Sequence, residues 1–346
     1  MDSRKIFEIS TPLLIVAPMQ GVTDYAFRRT MESIGGMDAF LSEYIVVASD
    51  NSYSKREIRD VLKSKDDGFS KVPLIPQLIS ASAEGALKVI RDFAEQGIYS
   101  MDVNMGCPTK SAINRKCGAW HAENPQEALQ LLKILRKEVP LGLSVKTRIG
   151  SQTTNKFDEL LDILNECGCD FVTLHCRLAT SGYHGEVFPD LAKKASQKLK
   201  VPLLYNGGVS DPSKVDQVCQ ETGARGLMVG KGIMQNPWLF KQVREYRATG
   251  KYATPTQQEF LSFFNNLFEN YLTQGLGSPA CVQRVKQLVS AFRHPGPEWG
   301  DYLIKVRRSD NRTNLFENLA EIDDNLLSTI GKSTNNYFEN FLAKPN

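Results

Sequence analysis

Eight short apolar runs, each with the composition of a buried β-strand, recur along the first 230 residues of the chain. Stretches with helical patterns separate most of them, and strands that alternate with helices form parallel sheets. Eight such units across about 240 residues predict an α/β fold, a (β/α)8 TIM barrel. The runs are LLIVAP (13–18), AFLSEYIVV (39–47), PLIPQLIS (73–80), SMDVN (100–104), LGLSVKTR (141–148), DFVTLH (170–175), VPLLYN (201–206) and GLMVG (226–230).

The intervals between the runs carry signals of amphipathic helices. Asn124 is placed to cap a helix, Pro125 suits its first turn, and Glu127 would complete a capping box. From Phe157 to Leu164, apolar residues follow the i, i+3, i+4, i+7 spacing of a helix that buries one face. A doubly wound sheet is the alternative, but no Gly-x-Gly-x-x-Gly follows the first strand. The barrel is therefore favoured.

The pattern changes after residue 250. Residues 256–346 contain helical runs such as FLSFFNNLFENYL and no strand signals, so we expect a barrel domain over 1–250 and a helical domain over 256–346. Seven basic residues against three acidic ones lie between 282 and 312, interleaved with Phe292, Trp299 and Tyr302. This segment is either a solvated face or a surface for an RNA backbone. The basic residues are Arg284, Lys286, Arg293, Lys305, Arg307, Arg308 and Arg312.

Composition limits the remaining possibilities. The chain is 41% hydrophobic and 23% charged, as in globular proteins with a sizeable core, and its net charge of +3 does not by itself indicate nucleic acid. The first residues, MDSRKIFEIS, lack a signal peptide's apolar region, and no apolar run is long enough for a membrane helix, so we expect a cytoplasmic protein. Seven scattered cysteines predict reduced thiols. Cys167 and Cys169 lack a second Cys/His pair, so no metal site is expected.

Barrel enzymes place their chemistry at the C-terminal ends of the strands. Those ends carry a lysine, a histidine, amides and two glycine-bearing turns. Loops after the seventh and eighth strands usually hold a phosphate, and a lysine with a glutamine can hydrogen-bond an electron-rich ring. The ends therefore predict a flavin mononucleotide with its phosphate at 207–208 and 230–232. The strand ends carry Pro18, Met19, Gln77, Lys146, His175, Asn206, Gly207, Gly208, Gly230 and Lys231.

The fourth run breaks off into a turn that carries a thiol, Cys107, between Gly106 and Pro108. A free cysteine is mostly the neutral thiol at neutral pH. It can serve as a general acid without activation, or as a nucleophile if a base activates it, and no Cys–His arrangement is evident nearby in the sequence. Beside a reduced flavin, a thiol is suited to donate a proton while the flavin donates hydride.

The same motifs, in the same order, resemble those of the tRNA-dihydrouridine synthase family. They are APMQGVTDYAFR, EYI, PQL, DVNMGCPTK, SVKTRIG, LHCR with SGYHG, YNGGV and MVGKGIMQNPWLF, and RVKQLVSAFRH fits more loosely. The resemblance implies an FMN enzyme that uses NADPH to reduce the C5=C6 bond of a uridine in tRNA to 5,6-dihydrouridine. We expect a monomer that binds tRNA.

The resemblance also implies roles for individual residues. Cys107 would protonate C5 while flavin N5 gives hydride to C6, and the strand-end residues above would contact FMN. Asn104, Arg148 and Tyr183 would lie near the uridine, which must leave its stack to reach a barrel rim. The basic cluster, including Arg284, Lys286, Arg307 and Arg308, would bind the RNA backbone.

The chain departs from the family pattern at three places. Where relatives usually have Gly-Ala-x-Leu-Leu after the catalytic loop, this chain has GAWHA at 118–122, and Trp120 and His121 are either a change facing RNA or a repacked first helix turn. Lys231 replaces an arginine and loses a bidentate phosphate contact, and Leu178 replaces a threonine. The modified position and the RNA class therefore stay open.

Three alternative functions remain from the sequence. One is a small-molecule flavin oxidoreductase of the dihydropyrimidine or dihydroorotate type, which the basic segment disfavours. Another is an RNA-binding relative that has lost turnover. The third is an aldolase with Lys146 as a Schiff base, which would be colourless and would be trapped on its substrate by borohydride.

Overall fold

A computed structural model describes residues 3–8, 11–48, 50–66, 71–183, 185–292 and 297–330. Within these ranges, parallel strands close into one barrel in chain order, and β8 pairs with β1. Each strand coincides with a predicted run to within two residues at either end, so the (β/α)8 prediction is confirmed. The strands are Leu13–Val16 (β1), Ala39–Val46 (β2), Leu74–Ile79 (β3), Ser100–Met105 (β4), Gly142–Arg148 (β5), Phe171–His175 (β6), Leu203–Asn206 (β7) and Gly226–Val229 (β8).

Helices connect the strands and continue beyond the barrel. The helices up to residue 250 are Tyr25–Ile34 (α1), Lys55–Asp66 (α2), Ala83–Glu95 (α3), Lys110–Asn114 (α4), Pro125–Glu138 (α5), Phe157–Glu166 (α6), Pro189–Lys198 (α7), Val215–Thr222 (α8), Lys231–Gln235 (α9) and Leu239–Thr249 (α10). Those that follow are Gln257–Thr273 (α11), Ser278–Val289 (α12), Pro297–Arg308 (α13), Arg312–Leu319 (α14) and Asp324–Ser328 (α15). Short 3₁₀ helices span Ser3–Glu8, Gly118–Ala122 and Pro212–Lys214.

Helix α5 begins where the sequence predicts, but it lacks the predicted capping hydrogen bond. The helix begins at Pro125, directly after Asn124. The side chain of Asn124 makes no capping hydrogen bond; its Nδ2 instead donates to the carbonyl of Trp120 at 2.8 Å. The predicted capping box is therefore wrong, because a local contact with the preceding 3₁₀ turn orients the asparagine amide.

The barrel interior changes from apolar to polar along the strands. Its first layers are apolar and are covered by Ile6 of the N-terminal 3₁₀ helix. Successive inward positions lie two residues apart on a strand, so Gln77 follows the apolar Ile75 on β3. On the neighbouring strands β4 and β5, the fully buried Asp102 and Ser144 lie at the same level as Gln77. Polar side chains therefore fill the half of the barrel nearest the C-terminal ends of the strands. The apolar layers comprise Leu13, Ile15, Ala17, Ala39, Leu41, Ile75, Phe171, Leu204 and Met228.

The described residues after 256 form helices and contain no strand. Helix α11 packs on α1 of the barrel, where Asn270 Nδ2 donates to Thr30 Oγ1 at 2.9 Å. On α12, Arg284 Nη1 donates to the carbonyl of Gly21 at 2.6 Å, in the segment between β1 and α1. Among the described residues, no helix has the length and apolar character needed to cross a bilayer.

The aromatic residues of the basic segment lie in the helical core. Phe292, Trp299 and Tyr302 are 2%, 5% and 5% exposed. Trp299 Nε1 donates to the carbonyl of Phe292, and the Tyr302 hydroxyl donates to that of Leu319. Burial leaves these rings no surface on which a base can stack, so their interleaving with the basic residues in the sequence does not support an RNA-binding face. Arg293 lies outside the described residues.

Closure of the barrel depends on the absence of a side chain at Gly226. This residue is in register with Leu13, and a Cβ there would lie 2.5 Å from the carbonyl oxygen of Leu13. We expect Gly226→Ala to lower the free energy of unfolding by about 3 kcal/mol, because the backbone of the closing strand pair must separate.

Urea unfolding of both proteins measures this difference. Gly300→Ala is the control, since a Cβ at this exposed position in α13 meets no atom within 4 Å and should slightly stabilise the helix. Equal stability of Gly226→Ala and wild type would contradict the close β1–β8 contact.

Candidate active site

The turn after β4 is held by the side chain of Asn104. Its Oδ1 accepts hydrogen bonds from the backbone N–H groups of Gly106 and Cys107, at 3.0 and 2.9 Å. Cys107 is only 8% exposed, so the turn encloses the thiol rather than presenting it openly to solvent. Asn104, which the resemblance places near the substrate, thus uses its carbonyl oxygen to shape the thiol's own loop.

The segment after α4 closes over Cys107 from the other side. The N–H of Ala119 donates to the Cys107 carbonyl at 3.0 Å. Gly118 has a φ of +62°, and a Cβ there would lie 2.7 Å from the same carbonyl oxygen. A glycine is therefore required at 118 by both backbone conformation and contact with the thiol-bearing turn.

A chain of side-chain hydrogen bonds leads from Asn104 into the barrel. Asn104 Nδ2 donates to Gln77 Oε1 at 2.8 Å, and Gln77 Nε2 donates to Asp102 Oδ2 at 2.6 Å. The Ser144 hydroxyl donates to the other oxygen of Asp102 at 2.5 Å. Because an ionised carboxylate only accepts hydrogen bonds, Asp102 dictates the orientation of the Gln77 amide and, through it, that of Asn104.

Asp102 and Ser144 were not singled out in the sequence. Asp102 is fully buried, and burial raises its pKa to about 6, against the effect of its hydrogen bonds from Ser144 and Gln77. It is therefore mainly ionised at neutral pH. A signal was present: a charged residue stands inside the apolar run SMDVN, two positions before Asn104 and so on the same face of the strand.

Lys146 and Asn206 meet across the barrel mouth. Lys146 Nζ donates to Asn206 Oδ1 at 3.0 Å, and Asn206 Nδ2 donates to the carbonyl of Met228 at 2.7 Å. Burial, and secondarily the charge of Arg148, lower the pKa of Lys146 to about 8. The ammonium is still mainly charged at pH 7, and its cost of burial makes it receptive to an anionic partner.

Arg148 joins the thiol-bearing turn to the segment after β6. Its Nε donates to the carbonyl of Gly106 at 2.8 Å, and its Nη1 donates to the carbonyls of Leu178 and Gly182 at 3.1 and 3.0 Å. The guanidinium carbon lies 5.6 Å from the ring centroid of Tyr183, whose side chain is 60% exposed. Arg148 therefore supports an exposed aromatic ring at the rim.

His175 is held in its neutral form. Burial, together with the charges of Arg148, Lys146 and Arg177, holds the pKa of His175 well below its usual range. Arg177 Nη1 lies 3.2 Å from His175 Nε2. Because a guanidinium has no acceptor, Nε2 must accept this bond, which leaves the proton on Nδ1.

Two glycines bring the backbone close to side chains of the rim. Gly207 has a φ of +134°, and a Cβ there would lie 3.3 Å from His175 Cδ2. A Cβ at Gly230 would lie 3.0 Å from Met19 Sδ, with Pro18 directly before that methionine. Helix α9 begins at Lys231, immediately after Gly230, so its first N–H groups have no partner within the helix.

The four basic residues predicted to bind RNA are used differently. Arg284 bonds the Gly21 carbonyl and Lys286 Nζ donates to the Ser309 carbonyl at 2.7 Å, so both are structural links. Arg307 and Arg308 are exposed on α13, and Arg307 Nε donates to Ser290 Oγ at 3.1 Å. Only the latter two present charge freely accessible to a large partner.

The described residues contain no group of three or more His, Cys, Asp or Glu side chains that could hold a metal ion. The thiols of Cys167 and Cys169 are buried at the end of α6, where both donate to the carbonyl of Leu164. Both cysteines are therefore packed against the C-terminal turn of α6, with their thiols hydrogen-bonded to its backbone.

Comparison with known proteins agrees with the motifs at the strand ends. The sequence profile of the dihydrouridine synthase family matches residues 15–322. The chain belongs to this family. A tRNA-dihydrouridine synthase B from Shewanella oneidensis is 28% identical over 271 residues, which cover 75% of this chain and 80% of the relative.

Two further relatives extend the comparison to other groups of bacteria. A probable tRNA-dihydrouridine synthase from Rickettsia conorii is 25% identical over 321 residues, 91% of this chain and 95% of its own. A tRNA-dihydrouridine synthase B from Vibrio vulnificus is 30% identical over 241 residues, 68% of this chain and 72% of its own. The dihydrouridine synthase match includes the barrel and the helices up to residue 322.

His121, a departure from the family pattern, lies inside the protein. It is 3% exposed, its ring is 5.5 Å from that of Trp120, and its Nδ1 has no hydrogen-bond partner among the described residues. Burial lowers the pKa of His121 to about 4. This environment supports the repacked-turn interpretation for His121.

A pH series tests this environment. The unfolded chain protonates His121 near pH 6.5, whereas the folded protein keeps it neutral down to about pH 4. Between pH 6.5 and 4 the unfolded chain therefore binds a proton at His121 that the folded protein does not. The free energy of unfolding should be unaffected by His121 above pH 6.5 and should fall by about 3 kcal/mol as the pH is lowered to 4. In His121→Leu this loss should disappear. Urea unfolding at intervals from pH 7 to 4 measures it, and parallel curves for the two proteins would contradict burial of the ring.

Proposed function

We propose that this dihydrouridine synthase reduces the C5=C6 bond of a uridine in tRNA, with FMN as cofactor, NADPH as electron donor and Cys107 as general acid. The observation that carries the proposal is the enclosed thiol of Cys107, set in a mouth that also contains Lys146, Arg148 and His175. The names of the relatives, tRNA-dihydrouridine synthases, support the substrate class. Family membership favours a reductase over the Schiff-base aldolase.

The residues of the rim fit an anionic, planar cofactor such as FMN. Gln77, Lys146 and His175 offer N–H donors, with the Gln77 amide oriented by Asp102. The glycines supply a cradle that Cβ atoms would partly fill. The ring would be held by Gln77, Lys146, His175 and Asn206 beside Pro18 and Met19, and the phosphate by Gly207, Gly208, Gly230 and Lys231. When reduced, the bound flavin supplies a hydride.

Cys107 holds the proton that the substrate carbon requires. The thiol can release it from Sγ as negative charge develops on C5, and the low exposure of the turn restricts competing water. Asn104 holds the N–H groups of Gly106 and Cys107, the two peptide groups that lead into the cysteine, so the direction of its Cα–Cβ bond is fixed. The thiol therefore acts from a preorganised position.

Tyr183 and the basic helix supply contacts for RNA. The exposed ring of Tyr183, supported by Arg148, offers a face on which an extruded base can stack. Arg148 itself bonds three carbonyls, so it positions the rim and the thiol-bearing turn. Arg307 and Arg308 on α13 would contact phosphates, whereas Arg284 and Lys286 support that surface from within.

An anaerobic single-turnover experiment tests the reaction. The purified, FMN-loaded protein is reduced with NADPH, mixed with bulk tRNA lacking dihydrouridine, and followed by flavin absorbance. Wild type should be reoxidised rapidly, whereas Cys107→Ala should keep its yellow colour and its reduction by NADPH but lose reoxidation by tRNA by at least about a hundredfold.

Cys219→Ala, which alters a buried thiol on α8, is the control and should react like wild type. Full activity in Cys107→Ala would remove the thiol from its role. A wild-type flavin that reduces but ignores tRNA, even with tRNA bound, would instead favour a small pyrimidine substrate or a relative without turnover.

Charge reversal on α13 tests the RNA surface. Arg307→Glu/Arg308→Glu should weaken tRNA binding and reduce the slope of log affinity against log salt by about two, one for each lost phosphate contact. Lys193→Glu/Lys200→Glu makes the same change of charge at exposed positions of the barrel and should leave the slope nearly unchanged. Filter binding between 50 and 300 mM salt measures both. If the α13 variant kept the wild-type slope, these arginines would be only a solvated face.

A further inference from the structure

Tyr44 of β2 reaches the reactive thiol because the strand contains an irregularity. Leu41 pairs with Ile75 and Tyr44 with Gln77, so three steps on β2 oppose two on β3. The extra residue reverses the alternation of faces, and Tyr44 therefore points to the barrel interior, as Leu41 does. Ser42 stabilises the bulge, since its Oγ accepts the backbone N–H of Gln77 at 3.0 Å.

Two hydroxyl groups flank the sulfur of Cys107. Thr109 Oγ1 lies 3.4 Å from Sγ, and Tyr44 Oη lies 3.7 Å from it. Thr109 Oγ1 also accepts the N–H of Ala112 at 3.2 Å, so its own hydrogen can point to the sulfur. Among the described residues, these hydroxyls are the groups that hydrogen-bond to Sγ. A thiolate formed here can only accept hydrogen bonds, and both hydroxyls can donate them.

We propose that Tyr44 is a second catalytic residue, whose hydroxyl stabilises the Cys107 sulfur as it loses its proton and afterwards returns a proton to it. This role rests on the proposed function. In the first step the S–H bond breaks and the proton forms a C–H bond at C5, while the hydride of the reduction reaches C6. In the second step a water molecule gives a proton to the phenol oxygen as Tyr44 Oη–H protonates the thiolate, so the phenol is never ionised, hydroxide leaves to solvent and the sulfur undergoes no net redox change.

The surroundings of Tyr44 suit a hydroxyl that stays protonated. Burial first, and the neighbouring Cys107 second, hold the pKa of Tyr44 well above its usual range. The half-buried phenol connects the enclosed sulfur with the more exposed rim. The other charged or titratable groups that face this pair are Lys146 and Arg148 of β5, Arg115 at the end of α4, Cys117 and Tyr183. All of them remain in place when only the phenolic oxygen is removed.

Tyr44→Phe removes that oxygen and keeps the ring. In the anaerobic single-turnover experiment with tRNA, we expect flavin reoxidation to slow about tenfold. This corresponds to the lower end of the free energies of hydrogen bonds to charged groups, because the contact between Tyr44 Oη and Cys107 Sγ is long. The solvent deuterium isotope effect should increase, because proton transfer becomes more rate-limiting. FMN content, reduction by NADPH and tRNA affinity should stay unchanged. Tyr99→Phe, at a 39% exposed ring before β4, is the control.

A second readout needs no RNA and no turnover. At pH 7 the alkylation of Cys107 by iodoacetamide, followed by peptide mass spectrometry, should be about threefold slower in Tyr44→Phe. Loss of the hydrogen bond removes stabilisation from the thiolate that reacts, whereas a thiolate without this bond is more nucleophilic and restores part of the rate. Tyr99→Phe should react like wild type, and Cys107→Ala identifies alkylation of other cysteines.

The outcomes separate the two proposals. Slower reoxidation with a larger isotope effect and slower alkylation support the role of Tyr44. An active wild type with an unchanged single-turnover rate in Tyr44→Phe overturns that role, whether or not alkylation changes. If wild type itself is not reoxidised by bound tRNA, the proposed function fails and the catalytic role of Tyr44 fails with it.

Discussion

The candidate site depends on a carboxylate buried inside the barrel. Asp102 has no access to solvent, so it requires the hydrogen bonds that Gln77 and Ser144 donate to it. Those bonds decide which end of the Gln77 amide faces Asn104, and the Asn104 amide in turn holds the N–H groups of Gly106 and Cys107. The position of the thiol is therefore determined by Asp102, five residues earlier in the chain, whose buried carboxylate has no water to hydrogen-bond to and so depends on these side chains.

The rim around this network concentrates positive charge. Lys146, Arg148 and Arg177 surround His175, which burial and these charges keep neutral. Each cation is held by a neutral acceptor, such as the Asn206 amide or the carbonyl of Gly106. The carboxylate of Asp102 offsets part of the positive charge at Lys146, and the excess of cations that remains at the mouth favours an anionic ligand.

The C-terminal helices reach the barrel at the segment between β1 and α1. Arg284 holds the Gly21 carbonyl from one side, and Glu43 of β2 accepts the Val22 N–H at 2.8 Å from the other. Burial raises the pKa of Glu43 to about 7, as expected for a carboxyl enclosed between packed elements. The segment that carries Pro18 and Met19 into the mouth is therefore tied to both the barrel and α12.

The sequence by itself determined the strand positions and the fold, because apolar runs and their spacing are local signals. The same spacing put Asn104, Lys146, His175 and Asn206 at strand ends, which a parallel barrel gathers at one rim. Only the tertiary structure decided what touches Cys107. The β2 bulge that turns Tyr44 inward and the burial of Phe292, Trp299 and Tyr302 depend on contacts between distant segments. Such contacts follow from strand register and helix packing, which leave no periodic mark in the sequence.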